Sequence, residues 1–281
     1  MASSNLINEY VNDKNYYYSM NQPCVYLLTI ALSFLSTLAM NSIQEMNLDS
    51  IFIRKEHLNL MVMVGLILFG LFLIIHPYFP KPAQKSWLIS IISSGFLTII
   101  GFYRVSRTIA GFDILTRDTI HSDDQLSLFA VIYFATCNLL DLILALFYYK
   151  DDMDILSGWI HHTFYFLFMV VLIRYHSTFG FSFVFIEEFP TLLLALGHVS
   201  SSLRNDLLFG ISFIITRVIY HGWFLYVLIV KDYHSAYWKV TMLIMMLHIF
   251  WMIKWFQFMI KKAKKSASEI DLKENKSKKK E

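Results

Sequence analysis

Eight stretches of this chain are each apolar for about the length that a helix needs to cross a hydrocarbon layer, roughly 20 residues, and polar or Gly/Pro breaks separate them. They run approximately from Cys24 to Met40, Leu58 to His76, Trp87 to Tyr103, Leu126 to Tyr149, Trp159 to Tyr175, Phe179 to Gly197, Leu207 to Val230 and Ala236 to Ile260. A backbone inside lipid must satisfy its own N–H and C=O groups, so helices are the expected form. Only 16% of residues are charged, against about a quarter in a soluble domain, and mean hydropathy is +0.51. The expected fold is all-α, a polytopic transmembrane bundle of seven or eight spans. The count depends on the sixth run, because Glu187, Glu188 and Pro190 interrupt it.

The remaining organisation follows from composition. Residues 1–23 are polar, with Lys14 their only basic residue, and lack the charged start of a cleaved leader. A first anchor and loop fill 24–57, the main bundle 58–260, and a disordered Lys-rich tail 261–281. That tail holds nine Lys against four acidic residues, a surplus larger than the whole chain's +3, so the rest is slightly acidic. The basic charge is therefore a tail and not a nucleic-acid-binding face. Positive charge after a last span is expected in the cytosol, and eight spans place both termini there. Lys278 and Lys279 stand fourth and third from the end, the spacing of a dilysine signal that cytosolic coat proteins read to return proteins to the endoplasmic reticulum. With two cysteines, Cys24 and Cys137, both in apolar runs, neither a disulfide framework nor a cysteine metal site is expected.

Ionisable groups at membrane depth are costly and mark function. Here they are Asp141, the adjacent His161 and His162, Glu187 and Glu188, Arg217 and His221, and His248. Neighbouring histidines project about 100° apart on a helix, so one can address a cavity while the other bonds a neighbouring helix. Imidazole is a natural general base at neutral pH, and Asp141 can fix its tautomer. Headgroup hydrogen bonding at the membrane interface is the plainer reading of the same pair. Arg217 and His221, four residues apart, share a helix face, and Glu187 or Glu188 is the expected partner for the guanidinium, in a close bidentate pair. Substrate headgroup binding by Glu187, Glu188, Arg217 and His221 is the sharper alternative to a purely architectural pair. No repeated His box, Gly-rich phosphate loop or nucleophile elbow is present, so no metal or bound cofactor is expected.

The ordered elements Asn138-Leu-Leu-Asp141, Gly158-Trp-Ile-His161-His162-Thr163, Glu187-Glu188-Phe-Pro190-Thr191, Leu203-Arg204 and Phe213-Ile-Ile-Thr-Arg217-Val-Ile-Tyr220 together resemble the TLC domain shared by TRAM, Lag1 and CLN8 proteins. The likeness covers roughly residues 60 to 260 and is greatest to the TMEM56-like branch and its fungal relatives. It implies a helix bundle around a lipid-accessible cavity, residence in the endoplasmic reticulum membrane, and membrane lipids as partners, with oligomers of the chain compatible. By resemblance to ceramide synthases, His161 and His162 would carry N-acylation of a sphingoid base with acyl-CoA as co-substrate, and Asp141 would orient them. The Asp-x-x-Asp pattern that follows the His pair in ceramide synthases is absent, since residues 163–197 contain no Asp. Three functions thus stay open: an acyltransferase of lipid metabolism, a non-catalytic lipid-binding protein, and a secretory-pathway cargo receptor that depends on Lys278 and Lys279.

Overall fold

A computed structural model describes residues 54–109, 115–232 and 235–278, with side chains to residue 268. Among these residues the fold is all-helical, with seven helices long and apolar enough to cross a membrane: α1 (Lys55–Tyr78), α2 (Pro82–Ile109), α3 (Gln125–Asp152), α4 (Ile155–Arg174), α5 (Thr178–Val199), α6 (Asp206–Lys231) and α7 (Tyr237–Ser268). Each matches one of the apolar runs. The first run, Cys24 to Met40, lies outside the described residues, as does nearly all of 1–57.

The helix starts are written locally. Pro82 opens α2 in its first turn, where its missing N–H has no helical partner to lose. Asp124 caps α3 by accepting from the Ser127 N–H at 2.7 Å, and Asp154 caps α4 by accepting from the Leu156 and Ser157 N–H groups at 2.9 and 2.8 Å. Asn205 caps α6 through the Leu208 N–H. The sixth run proves to be one continuous helical segment. It tightens to a 3-10 helix over Phe183–Glu187 and resumes as α-helix at Glu188, so Pro190 falls in a first turn that tolerates it. Past α7 the backbone stays helical to Lys278, where a disordered tail is expected from 261. Lys, Ala, Glu and Leu in this stretch are good helix formers, which accounts for the difference.

Helix α3 is the axis of the bundle: 72% of its most apolar window is buried, against 22% in α1 and 17% in α7. It packs on α1, α2 and α4, while α2 packs along α5. The core includes Phe72, Leu97, Ile132, Leu144, Met169, Phe183, Phe185, Phe224 and Leu228. The outside is apolar as well; Leu66, Ile74, Ile99, Phe147 and Ile219 are each more than 60% exposed. A surface of that kind is unfavourable in water and natural against lipid tails.

One end of the bundle is tied by side chains. Buried Arg104 of α2 donates to Asp124 at 2.7 Å and to Ser127 at 2.6 Å. Asp123 accepts from Thr178 Oγ1 at 2.6 Å and lies 2.7 Å from His176 Nδ1, which holds the tight turn between α4 and α5, where His176 has a φ of 50°. Burial pushes the Asp124 carboxyl up, but the Ser127 N–H and the Arg104 guanidinium outweigh it and hold the group below its ordinary value of 3.8. A carboxyl lowered in the folded state adds stability above its unfolded pKa and loses it as pH falls through the folded one. Denaturant unfolding of the wild type is therefore expected to weaken between about pH 5 and pH 3 by more than that of Asp124→Asn, and equal slopes would contradict this role.

Candidate functional site

Two clusters form where α3 to α7 converge. In the first, Asp141 of α3 faces His162 of α4, with Oδ2 2.9 Å from His162 Nδ1. The oxygen lies out of line with the ring N–H direction, so His162 Nδ1 and the carboxylate are in close contact without an aligned hydrogen bond. Tyr149 donates its hydroxyl to Asp141 Oδ1 at 2.5 Å and thereby fixes the carboxylate from the other side. Tyr149 reaches back because α3 widens to a π-helix over Ala145–Tyr149. A second wide segment, Ile155–Ile160, delivers His161 and His162 at the start of regular α4. Wide turns of this kind recur at functional sites.

The two histidines do not divide as expected: His162 touches Asp141 of α3 without an aligned hydrogen bond, and both rings line the same polar cavity. His161 has no hydrogen-bond partner for its ring nitrogens among the described residues, and its neighbours are aromatic: Tyr165 at 4.7 Å and Trp251 at 5.8 Å between ring centres. It stands in a wall shared by two cavities of about 50 Å³ each. One is polar, with Asn138, Asp141, His162, Glu188 and Thr191 among its lining residues. The other is an apolar groove between α4 and α7, lined by Ile160, Phe164, Leu243, Leu247 and Trp251. A water needs at least about 10–15 Å³, so the polar cavity can take a few waters or a small headgroup.

The second cluster surrounds Glu187. The 3-10 turn ends at Glu187 and the α-helix starts at Glu188, so these neighbours diverge: Glu188 enters the polar cavity, and Glu187 turns to α6 and α7. Its Oε1 lies 2.7 Å from His221 Nδ1 and its Oε2 3.7 Å from His248 Nε2. The close bidentate carboxylate pair expected for Arg217 does not form. Arg217 instead donates Nε to the Glu187 carbonyl at 2.9 Å and Nη2 to Thr191 Oγ1 at 2.6 Å, with Glu188 Oε1 at 3.8 Å. A carbonyl oxygen has two lone pairs, so that of Glu187, the N-cap of the α-helical part of α5, accepts from Arg217 in addition to its own helix.

The structure therefore brings Asp141, His161, His162 and Glu188 into one cavity and Glu187, Arg217 and His221 into an adjoining network. The side chain of Lys278 and all of Lys279 lie outside the described residues. Tyr149, Tyr165 and Trp251 had no signal as single letters in apolar runs, whereas Thr191 carried one only as part of the Glu187-to-Thr191 element. His248 carried one, being an ionisable group within a span, yet only the fold joins it to Glu187. Set against protein-family models, curated proteins and solved structures, the chain matches none.

Proposed function

We propose that this chain is a multi-pass membrane protein of the TLC type, resident in the endoplasmic reticulum, that binds a membrane amphiphile and transfers an acyl group to its amine. The observation that carries the reading is the position of His161 between a polar cavity and an apolar groove. An amphiphile has the same division, with its headgroup suited to Asn138, Glu188 and Thr191 and its tail to the groove between α4 and α7. In the reaction, the amine attacks the acyl-CoA thioester carbonyl, a C–N bond forms, the C–S bond breaks, and CoA leaves as the thiolate. His162 takes the amine proton and passes it to that thiolate, while Asp141, braced by Tyr149, stabilises the imidazolium.

The test is lipid profiling of cells that express wild type, His161→Ala or His162→Ala at matched levels in the membrane. One lipid class is expected to rise with wild type, and the rise should fall by about 10²-fold or more for His162→Ala. Coincident profiles would reject acyl transfer. A second reading, lipid binding without turnover, is favoured by the misaligned approach of Asp141 to His162; it expects a lipid to co-purify with the protein and its retention to depend on His161. Cargo reception rests on Lys278 and Lys279 alone, and their truncation would have to abolish it.

A further inference from the structure

We infer that Glu187, His221 and His248 form a site for a divalent transition-metal ion. The three come from α5, α6 and α7, all are buried, and their donor atoms lie within 4.8 Å of one another. The inference stands apart from the acyl-transfer reading, which uses none of these side chains as an acid or base.

Hydrogen-bond bookkeeping around the two rings makes the case. His221 Nε2 is 2.9 Å from the Thr241 carbonyl, and His248 Nδ1 is 2.9 Å from the Arg217 carbonyl. A carbonyl only accepts, so each of these nitrogens carries the ring's hydrogen. When the rings are neutral, that leaves His221 Nδ1 and His248 Nε2 as their lone-pair nitrogens, and both face the Glu187 carboxylate, which also only accepts. Three acceptors converge with no donor between them. A single proton bridges His221 and Glu187 at 2.7 Å, but it does nothing for His248, whose Nε2 is too far from Oε2, at 3.7 Å, for a hydrogen bond. A dication serves all three.

The surroundings are those of a metal site. Ligating histidines characteristically give their other N–H to a backbone carbonyl or carboxylate, which sets the tautomer and the ring's direction, and both rings here do so. Donors about 2.1 Å from a common ion sit roughly 3.4 Å apart in tetrahedral geometry; Glu187 now meets the rings with different oxygens, at 2.7 and 3.7 Å, and a rotation of its carboxylate would present one oxygen to both. Two imidazoles and one carboxylate suit Zn²⁺ or Fe²⁺ and not the hard cations Mg²⁺ and Ca²⁺. The nearby positive charge of Arg217 is offset by Glu188 at 3.8 Å. Three protein ligands also leave a coordination position for water or an exogenous group. The donors are scattered, with Glu187 and His221 separated by 34 residues, so no motif search would collect them.

The full chain, purified in detergent without chelator, is expected to carry about one Zn²⁺ or Fe²⁺ by elemental mass spectrometry, and Glu187→Gln and His248→Gln should lower that content by about tenfold or more. Chelation should lower the wild-type Tm and leave the variants unmoved. Should either variant fail to fold, the wild type alone decides: after chelation, Co²⁺ should bind at one equivalent, and X-ray absorption at the metal edge should show two imidazoles. A protein without stoichiometric metal and without saturable Co²⁺ uptake overturns the site, as does metal that survives both substitutions or an absorption spectrum lacking imidazole.

Discussion

Replacing Arg217 by Leu should destabilise the protein by about 3 kcal/mol, the lower end of the cost of removing one partner of a buried ion pair, since both side chains here are only partly buried. The guanidinium serves the Glu187 carbonyl and Thr191, stands 3.8 Å from Glu188, and lies over the Phe213 ring at 5.4 Å. Leucine keeps the apolar stem and removes every one of the polar contacts. The carbonyl then loses its side-chain donor, and Glu188 is left in the polar cavity without the guanidinium. The double variant Arg217→Leu/Glu188→Gln should recover part of the loss, since it removes the stranded carboxylate. Unfolding in detergent for the two proteins checks this, and a double variant no more stable than the single one would show that Glu188 is not the partner that matters.

Gly101→Ala is expected to cost about 3 kcal/mol, the upper part of the range for overpacking. Gly101 is buried in α2 where that helix crosses the 3-10 segment of α5, and a β-carbon there would run into the backbone of Phe185 and Ile186. A flexible side-chain tip could yield, but backbone cannot, so α2 and α5 must separate. Close helix approach through small residues is a common means of packing where lipid offers no hydrophobic drive. Gly70 in α1 supplies the opposite sign. A β-carbon there meets nothing within 4 Å, and alanine is the better helix former by up to about 1 kcal/mol. Melting the two variants side by side separates a local clash from a general intolerance of substitution.

Much of the architecture can be read from the chain because its signal is one-dimensional. Leu58 to His76 and Lys55–Tyr78 differ by a few residues, as do Leu126 to Tyr149 and Gln125–Asp152. The helices outrun the apolar stretches where polar residues find partners beyond them; Arg104, outside the lipid pattern but inside α2, is held by Asp124 and Ser127. The candidate site was legible as a list of ionisable groups, and the Asp141–His162 contact as a chemical preference. Which carboxylate turned to which base was not legible. Glu187 and Glu188 look equivalent as letters, and only the change of helix type between them sends one to His221 and the other to the polar cavity. The apolar groove that makes His161 informative is built from Leu, Ile and Phe, which read alike whether they face a ligand, lipid or core.

The wide segment Ile214–Tyr220 in α6 has a consequence for length as distinct from composition. Ile211, Ile215, Ile219 and Trp223 are all exposed, at steps of four residues. In an ordinary helix such steps drift by about 40° per turn, and over this stretch the broader turn absorbs the drift. Deleting one of residues 218–220 would rotate everything beyond it by about 100°, carrying His221 away from Glu187 while Arg217 stayed in place. The phase of α6 is thus set by counting, and a one-residue gap there would silence the network as completely as the loss of a charged side chain.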